Sequence, residues 1–184
     1  MTVAASQIQG YLAGAWTIDA VHSDVSFSVR HMMVSKVKGR FGAFSGSIVT
    51  AENPSESTVT AEIDLNSIDT NNSQRDDHIR SADFFEVEKY PKMTFRSTSI
   101  EAAGNDYLVR GDLTLKGVTK NVALKVELNG IGPDAYGGTR AGFSASTEIS
   151  RKEFGVDIDM PMDGGGVVIG DKISVSLEIE AVLS

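Results

Sequence analysis

The sequence predicts an all-β protein: eight or nine antiparallel strands, joined mostly by hairpin-length turns and interrupted by one short helical insertion. Apolar and polar residues alternate with period two through most of the 184 residues, the signature of strands with one buried and one wetted face. Turn-forming clusters such as Asn53-Pro54-Ser55 and Gly104-Asn105-Asp106 separate the runs. Residues 67–96 alone break the alternation at length. Strands with a single apolar face must close on themselves or pack as a sandwich. Closure gives an eight-stranded antiparallel β-barrel whose interior is either filled by side chains or holds one ligand.

Residues 15–19 form a short first strand with the only Trp. After His22-Ser23, Val25, Phe27 and Val29 share a face with His31 in phase, and Ser26, Ser28 and Arg30 lie opposite. VSKVKGR, residues 34–40, reads as a basic linker. Phe44, Gly46 and Ile48 alternate next, but Phe41 is out of phase across Gly42, so a bend or bulge is expected there. Val59, Ala61, Ile63 and Leu65 then line one side of the cleanest strand.

In residues 67–96, Ser73 reads as a helix cap with Asp76 three residues on. Asp76 and Asp77 suit the positive end of a helix dipole. Ile79 and Ala82 are the expected buried side. Tyr90-Pro91 forces extended backbone, and the strand pattern resumes at Met93 with Phe95 in phase. A single helix in a β chain suggests a lid or a plug.

Three further faces follow: Tyr107, Val109, Leu113 and Leu115; Val122, Leu124, Val126 and Leu128; Ala141, Phe143, Ala145 and Ile149. A long loop holds Gly164-Gly165-Gly166 and precedes the last strand, where Ile173, Val175, Leu177, Ile179 and Ala181 share a face. With no repeat and no dividing linker, residues 15–184 read as a single domain behind a leader of residues 1–14.

The chain is 41% hydrophobic and 23% charged, with net charge −8 and a pI near 4.8. That balance argues against nucleic acid and against electrostatic binding to anionic membranes. The absence of Cys excludes disulfides and thiolate-ligated zinc. The leader has no Lys or Arg before its apolar residues, and Gln7, Gln9 and Gly10 interrupt them. It is neither a signal peptide nor a membrane span, so a cytoplasmic protein without stable membrane insertion is expected.

Catalytic signals are weak. His78 sits beside Asp77 with Arg75 and Arg80 near, but neighbours on a helix do not face each other, and no nucleophile motif appears. These residues read as a polar helix surface with an internal salt bridge, and no enzyme is expected. His22, His31 and His78 form no ligand pair, and Asp157, Asp159 and Asp163 lack calcium-loop spacing. Neither a metal nor a cofactor is expected. The glycine run lacks the Lys-Ser or Lys-Thr of a P-loop.

The apolar faces remain. Strands of about ten residues reach about 33 Å and, tilted, would enclose a lumen about 25 Å long. Small residues at Gly46, Ala61, Gly111, Ala141 and Ala145 interrupt those faces, which favours a cavity. Pattern alone leaves a hollow and a solid barrel both open.

WTIDAVHSDVSFSVRHMMVSKVKGRF, RDDHIRSADFFEVEKYPKMTF, LTLKGVTKNVAL, ISRKEFGV and DGGGVVIGDKISVSLEIEA together resemble the YceI-like, polyisoprenoid-binding family, in order and over residues 15–183. The resemblance implies a lipocalin-like barrel around an apolar tunnel, the helix near its mouth, and a bound isoprenoid or fatty-acid-type lipid without established catalysis. On the inward faces of the strands, the expected ligand-binding set is Phe27, Val29, His31, Phe44, Ile63, Leu65, Met93, Phe95, Leu113, Leu115, Leu124 and Phe143 for the tail. His78, Phe84 and Phe85, with Arg75 or Arg80, are expected at the mouth. The expected function is to bind, carry or sequester a long isoprenoid lipid, such as a quinone or polyprenyl phosphate. The rivals are an enzyme acting on a lipid and a stress-response interaction protein whose cavity contents are incidental. The sequence leaves a homodimer open.

Overall fold

The computed structural model describes residues 4–159 and 168–184. Its strands are β1 (Gly14–Ile18), β2 (Asp24–His31), β3 (Ser35–Phe41), β4 (Phe44–Thr50), β5 (Thr58–Asp64), β6 (Ile68–Asp69), β7 (Lys92–Ala103), β8 (Asp106–Leu115), β9 (Val118–Pro133), β10 (Thr139–Ser150) and β11 (Ile169–Leu183), with one helix, α1 (Ser73–Arg80). Every strand pairing is antiparallel.

Eleven strands make eight staves because three staves are broken. β1 and β2 both lie along β11, β1 opposite Ala181 to Leu183 and β2 opposite the stretch from Ile169 to Glu178. β4 and β3 lie along β1 and β2 respectively, and β5 and β6 along β4 and β3. From there β7 to β11 continue as a meander. The β1–β11 pairing closes the ring. Aspartates start two of the breaks: Asp19 accepts from Val21 N, and Asp64 from Asn66 N, each opening a one-turn 3-10 segment.

One sequence expectation changes here. In place of the linker expected at residues 34–40, Ser35–Phe41 form strand β3; Val37 and Phe41 point into the barrel with Gly39 between them. Gly39 hid the alternation, since a Cβ there would strike the Phe27 ring. The expected bend at Gly42 is present, at the corner where the chain passes from β3 to β4, the two segments of one broken stave. Gly164-Gly165-Gly166 and Asp163 lie outside the described residues.

α1 begins one residue earlier than the Ser73 cap implies. Asn72 is the cap, its side chain accepting from Arg75 N at 3.0 Å. Asp76 turns inward instead of capping: it is buried and accepts from Thr70 N at 2.9 Å and from the Thr70 hydroxyl. Ile79 packs on the core, but Ala82 lies past the helix end and is exposed. Phe84 and Val87 from the following turns are buried in its place.

Candidate ligand cavity

The barrel is hollow. A cavity of about 500 Å³ runs through it, lined almost wholly by apolar side chains, within the usual size of a small-molecule site. On β11 the inward-facing Ile173, Val175, Leu177 and Ile179 are only partly buried. Inward side chains that keep free surface beside a cavity of this size are those of a hollow barrel rather than a solid one.

The expected wall residues gather as the alternation requires. Phe27, Val29 and His31 project from β2, Phe44 from β4 and Ile63 from β5. Met93 and Phe95 come from β7, Leu113 and Leu115 from β8, Leu124 from β9 and Phe143 from β10. Leu65 is the exception. The strand ends at Asp64, so Leu65 enters the 3-10 turn, where it is fully buried in packing outside the cavity lining. The small residues do not all create the space either. The Phe95 ring covers Gly111 and Ile18 covers Gly46, so those glycines make room for neighbours. Ala141 is buried beside Trp16 at 2% exposure each. Ala61, Ala141 and Ala145 line the lumen.

At the helix-bearing end the lining turns polar. Arg75 and His78 from α1 line the cavity while being exposed, and Arg30, an outward position of β2, borders its rim, which marks where it meets solvent. Arg75 is held by Thr70: Nε donates to the hydroxyl at 2.8 Å and Nη2 to the carbonyl at 2.6 Å. His78 Nε2 lies 2.8 Å from Asp83 Oδ2, and its ring meets Phe84 edge-on at 5.0 Å. Thus the carboxylate facing His78 is Asp83, which pattern reading did not single out. Arg80 is turned away from the cavity and bonded to Asp77, at 2.9 Å, and to the carbonyls of Asn66 and Ile68. Phe85 completes an aromatic chain from α1 to the wall through Phe41 and Phe27, at 6.3 and 5.6 Å.

The opposite end is covered by the segment read as a leader. Ile8 and Tyr11 line the cavity there, and the Tyr11 hydroxyl donates to the Ala51 carbonyl. Tyr107 stands near, its phenol pushed up by burial and then by Tyr11. No periodic signal marked Ile8 or Tyr11. Beside the helix end, Arg151 is 4% exposed and lines the cavity. It donates to the carbonyls of Gly170, Val156, Ile158 and Ile169 at 2.9, 2.8, 2.9 and 3.2 Å.

Among the described residues, Asp19, His22 and Glu180 bring three possible metal-ligand atoms within 4.8 Å. Arg140 Nη1 already supplies a positive charge there, 2.8 Å from Asp19 and 3.0 Å from Glu180. Asp159, expected in a weak oxygen cluster, pairs with Lys152 at 3.0 Å.

A YceI-like domain model matches residues 16–181, nearly the whole barrel. The chain belongs to the YceI-like family. A UPF0312 protein of Photorhabdus laumondii is 45% identical over 152 residues, covering 81% of this chain and 79% of its own. Among solved YceI-like barrels, Burkholderia cenocepacia BcnA superposes with a TM-score of 0.78 at 25% identity, over 89% of this chain and 98% of that one. A polyisoprenoid binding domain from Saccharophagus degradans shares the fold, with a TM-score of 0.66 at 21% identity over 92% and 98% of the two chains. Among the described residues no helix is long and apolar enough to cross a membrane.

Proposed function

We propose that this YceI-like barrel binds one long-chain isoprenoid-type lipid and carries or sequesters it, with the tail in the lumen and the head group at the helix-bearing end. The observation that carries the proposal is the hollow apolar interior, into which the inward side chains of β11 keep free surface. Each CH₂ buried there contributes about 0.8 kcal/mol before association entropy is subtracted. The Saccharophagus domain, named for polyisoprenoid binding, supports the ligand class. Arg75 and His78 offer donors to a quinone oxygen or a phosphate.

Trp16, the only Trp, lines the lumen and is 2% exposed, so its emission reports on entry. Titration with an isoprenoid quinone, a polyprenyl phosphate and a long-chain fatty amide should change that emission saturably, at one ligand per chain, for at least one of them. Unchanged emission with all three, in protein first stripped of lipid, would sink the proposal.

The His78–Asp83 pair at the cavity edge is the one arrangement that favours the enzyme rival, since a carboxylate-oriented histidine can act as a general base. Turnover of a bound lipid that stops in His78→Ala while binding persists would establish that reading instead.

A further inference from the structure

We propose that the tip of the β2–β3 hairpin is a docking surface for an anionic lipid bilayer. The tip is Met32, Met33 and Val34, exposed by 43%, 56% and 86%. Three adjacent apolar residues at this exposure stand clear of the barrel, and both methionines adopt left-handed backbone, at φ 49° and 63°. Met32 N is tied to the Val168 carbonyl at 2.7 Å, which fixes the tip against the start of β11.

The hairpin behind the tip is basic on its outer face. Arg30 pairs across the ladder with Lys36, Ser28 with Lys38 and Ser26 with Arg40. These four cations are exposed and alternate with the inward Val29, Val37 and Phe41. Among the described residues Arg30, Lys36 and Lys38 make no ion pair, and Arg40 has only Asp69, at 3.8 Å. No Asp or Glu occurs between Asp24 and Glu52, in a chain of net charge −8. Overall charge opposes an acidic membrane, but beyond a Debye length of about 8 Å the distant carboxylates are screened and the local cations decide. An apolar tip with basic residues just behind it matches the interface of a bilayer: side chains enter the acyl boundary while Lys and Arg meet anionic head groups.

The placement has a consequence for the barrel. His31, at the end of β2 in the same hairpin, lines the cavity at its helix-bearing end. Docking by this tip sets that end of the lumen against the bilayer, the geometry an exchange of lipid between cavity and membrane requires.

The test is flotation of the full chain with vesicles of phosphatidylcholine alone, and with about a third phosphatidylglycerol, at rising salt. Binding should be seen on the anionic vesicles and should weaken with salt. Lys36→Ser and Lys38→Ser should each lower partitioning about fivefold, and Met33→Ser should lower it on the same vesicles. None of these three side chains lines the lumen, so Trp16-monitored uptake of lipid from solution stays at the wild-type level; that readout separates failure of docking from failure of the proposed lipid binding. The proposal is overturned if the protein floats with neither vesicle, floats equally with both, or floats undiminished after the substitutions. It is equally overturned if the substitutions abolish a dimer or capture of an acidic protein while vesicles are never bound.

Discussion

Arg140 Nη1 lies 2.8 Å from Asp19 Oδ2, joining β10 to the end of β1 across the seam where the barrel closes. The guanidinium of Arg140, and next His22, hold the Asp19 carboxyl well below its ordinary value of 3.8. A carboxyl depressed in the folded state contributes stability in full above its unfolded pKa, and loses it as the pH falls from there towards the folded value. Wild type should therefore be more stable than Asp19→Asn near neutrality, and the gap should narrow as the pH drops below about 4. Urea unfolding of both proteins across that range checks it. A gap independent of pH would contradict the assignment.

Arg151 closes the end of the barrel by donating to four carbonyls from the depth of the fold. Arg151→Leu would leave those acceptors without their donor, each at about 1–3 kcal/mol if no water replaces it. We expect a loss of at least about 3 kcal/mol by chemical denaturation. A loss below about 1 kcal/mol would mean that water or other donors reach those carbonyls.

Ala145 separates a hollow barrel from a filled one. It lines the lumen on β10, opposite Val126 and Leu177. In a packed core Ala145→Phe would cost about 1–3 kcal/mol by overpacking. In the hollow barrel it should leave the lipid-free protein as stable as wild type, while reducing lipid uptake measured by Trp16 emission.

His78 and Arg75 sit at the cavity's exposed edge, so their loss should touch affinity and not fold. His78→Ala should weaken binding of a polar-headed lipid about two- to tenfold, the range of one ordinary hydrogen bond. The melting temperature without ligand should stay unchanged. A collapse of the fold would mean that the His78–Phe84 contact is structural.

The alternation made the wall legible. Period two placed Phe27, Ile63, Phe95 and Phe143 on one axis because each lies in a regular stretch of strand. The same rule failed at Leu65, where Asp64 captures Asn66 N and ends the strand one residue too soon for it. It failed at residues 35–41 because Gly39 yields its side-chain space to the Phe27 ring, so an inward position carries no apolar residue. Ile8 and Tyr11 were unreadable for a different reason: a segment that crosses a barrel end is held by its destination, as by the Tyr11 bond to the Ala51 carbonyl, and has no period of its own. Asp83 as the partner of His78 was likewise hidden, because the turn after α1 brings it round.

Native mass spectrometry of the protein purified without detergent tests the central claim most directly. The account predicts a discrete complex of one chain with one lipid, identified after organic extraction as an isoprenoid or another long-chain lipid. Adding that lipid to stripped protein should raise the melting temperature with concentration, because only the folded barrel has a lumen to fill. The bare chain mass, together with a melting temperature indifferent to isoprenoid quinones, polyprenyl phosphates and fatty amides, would contradict it.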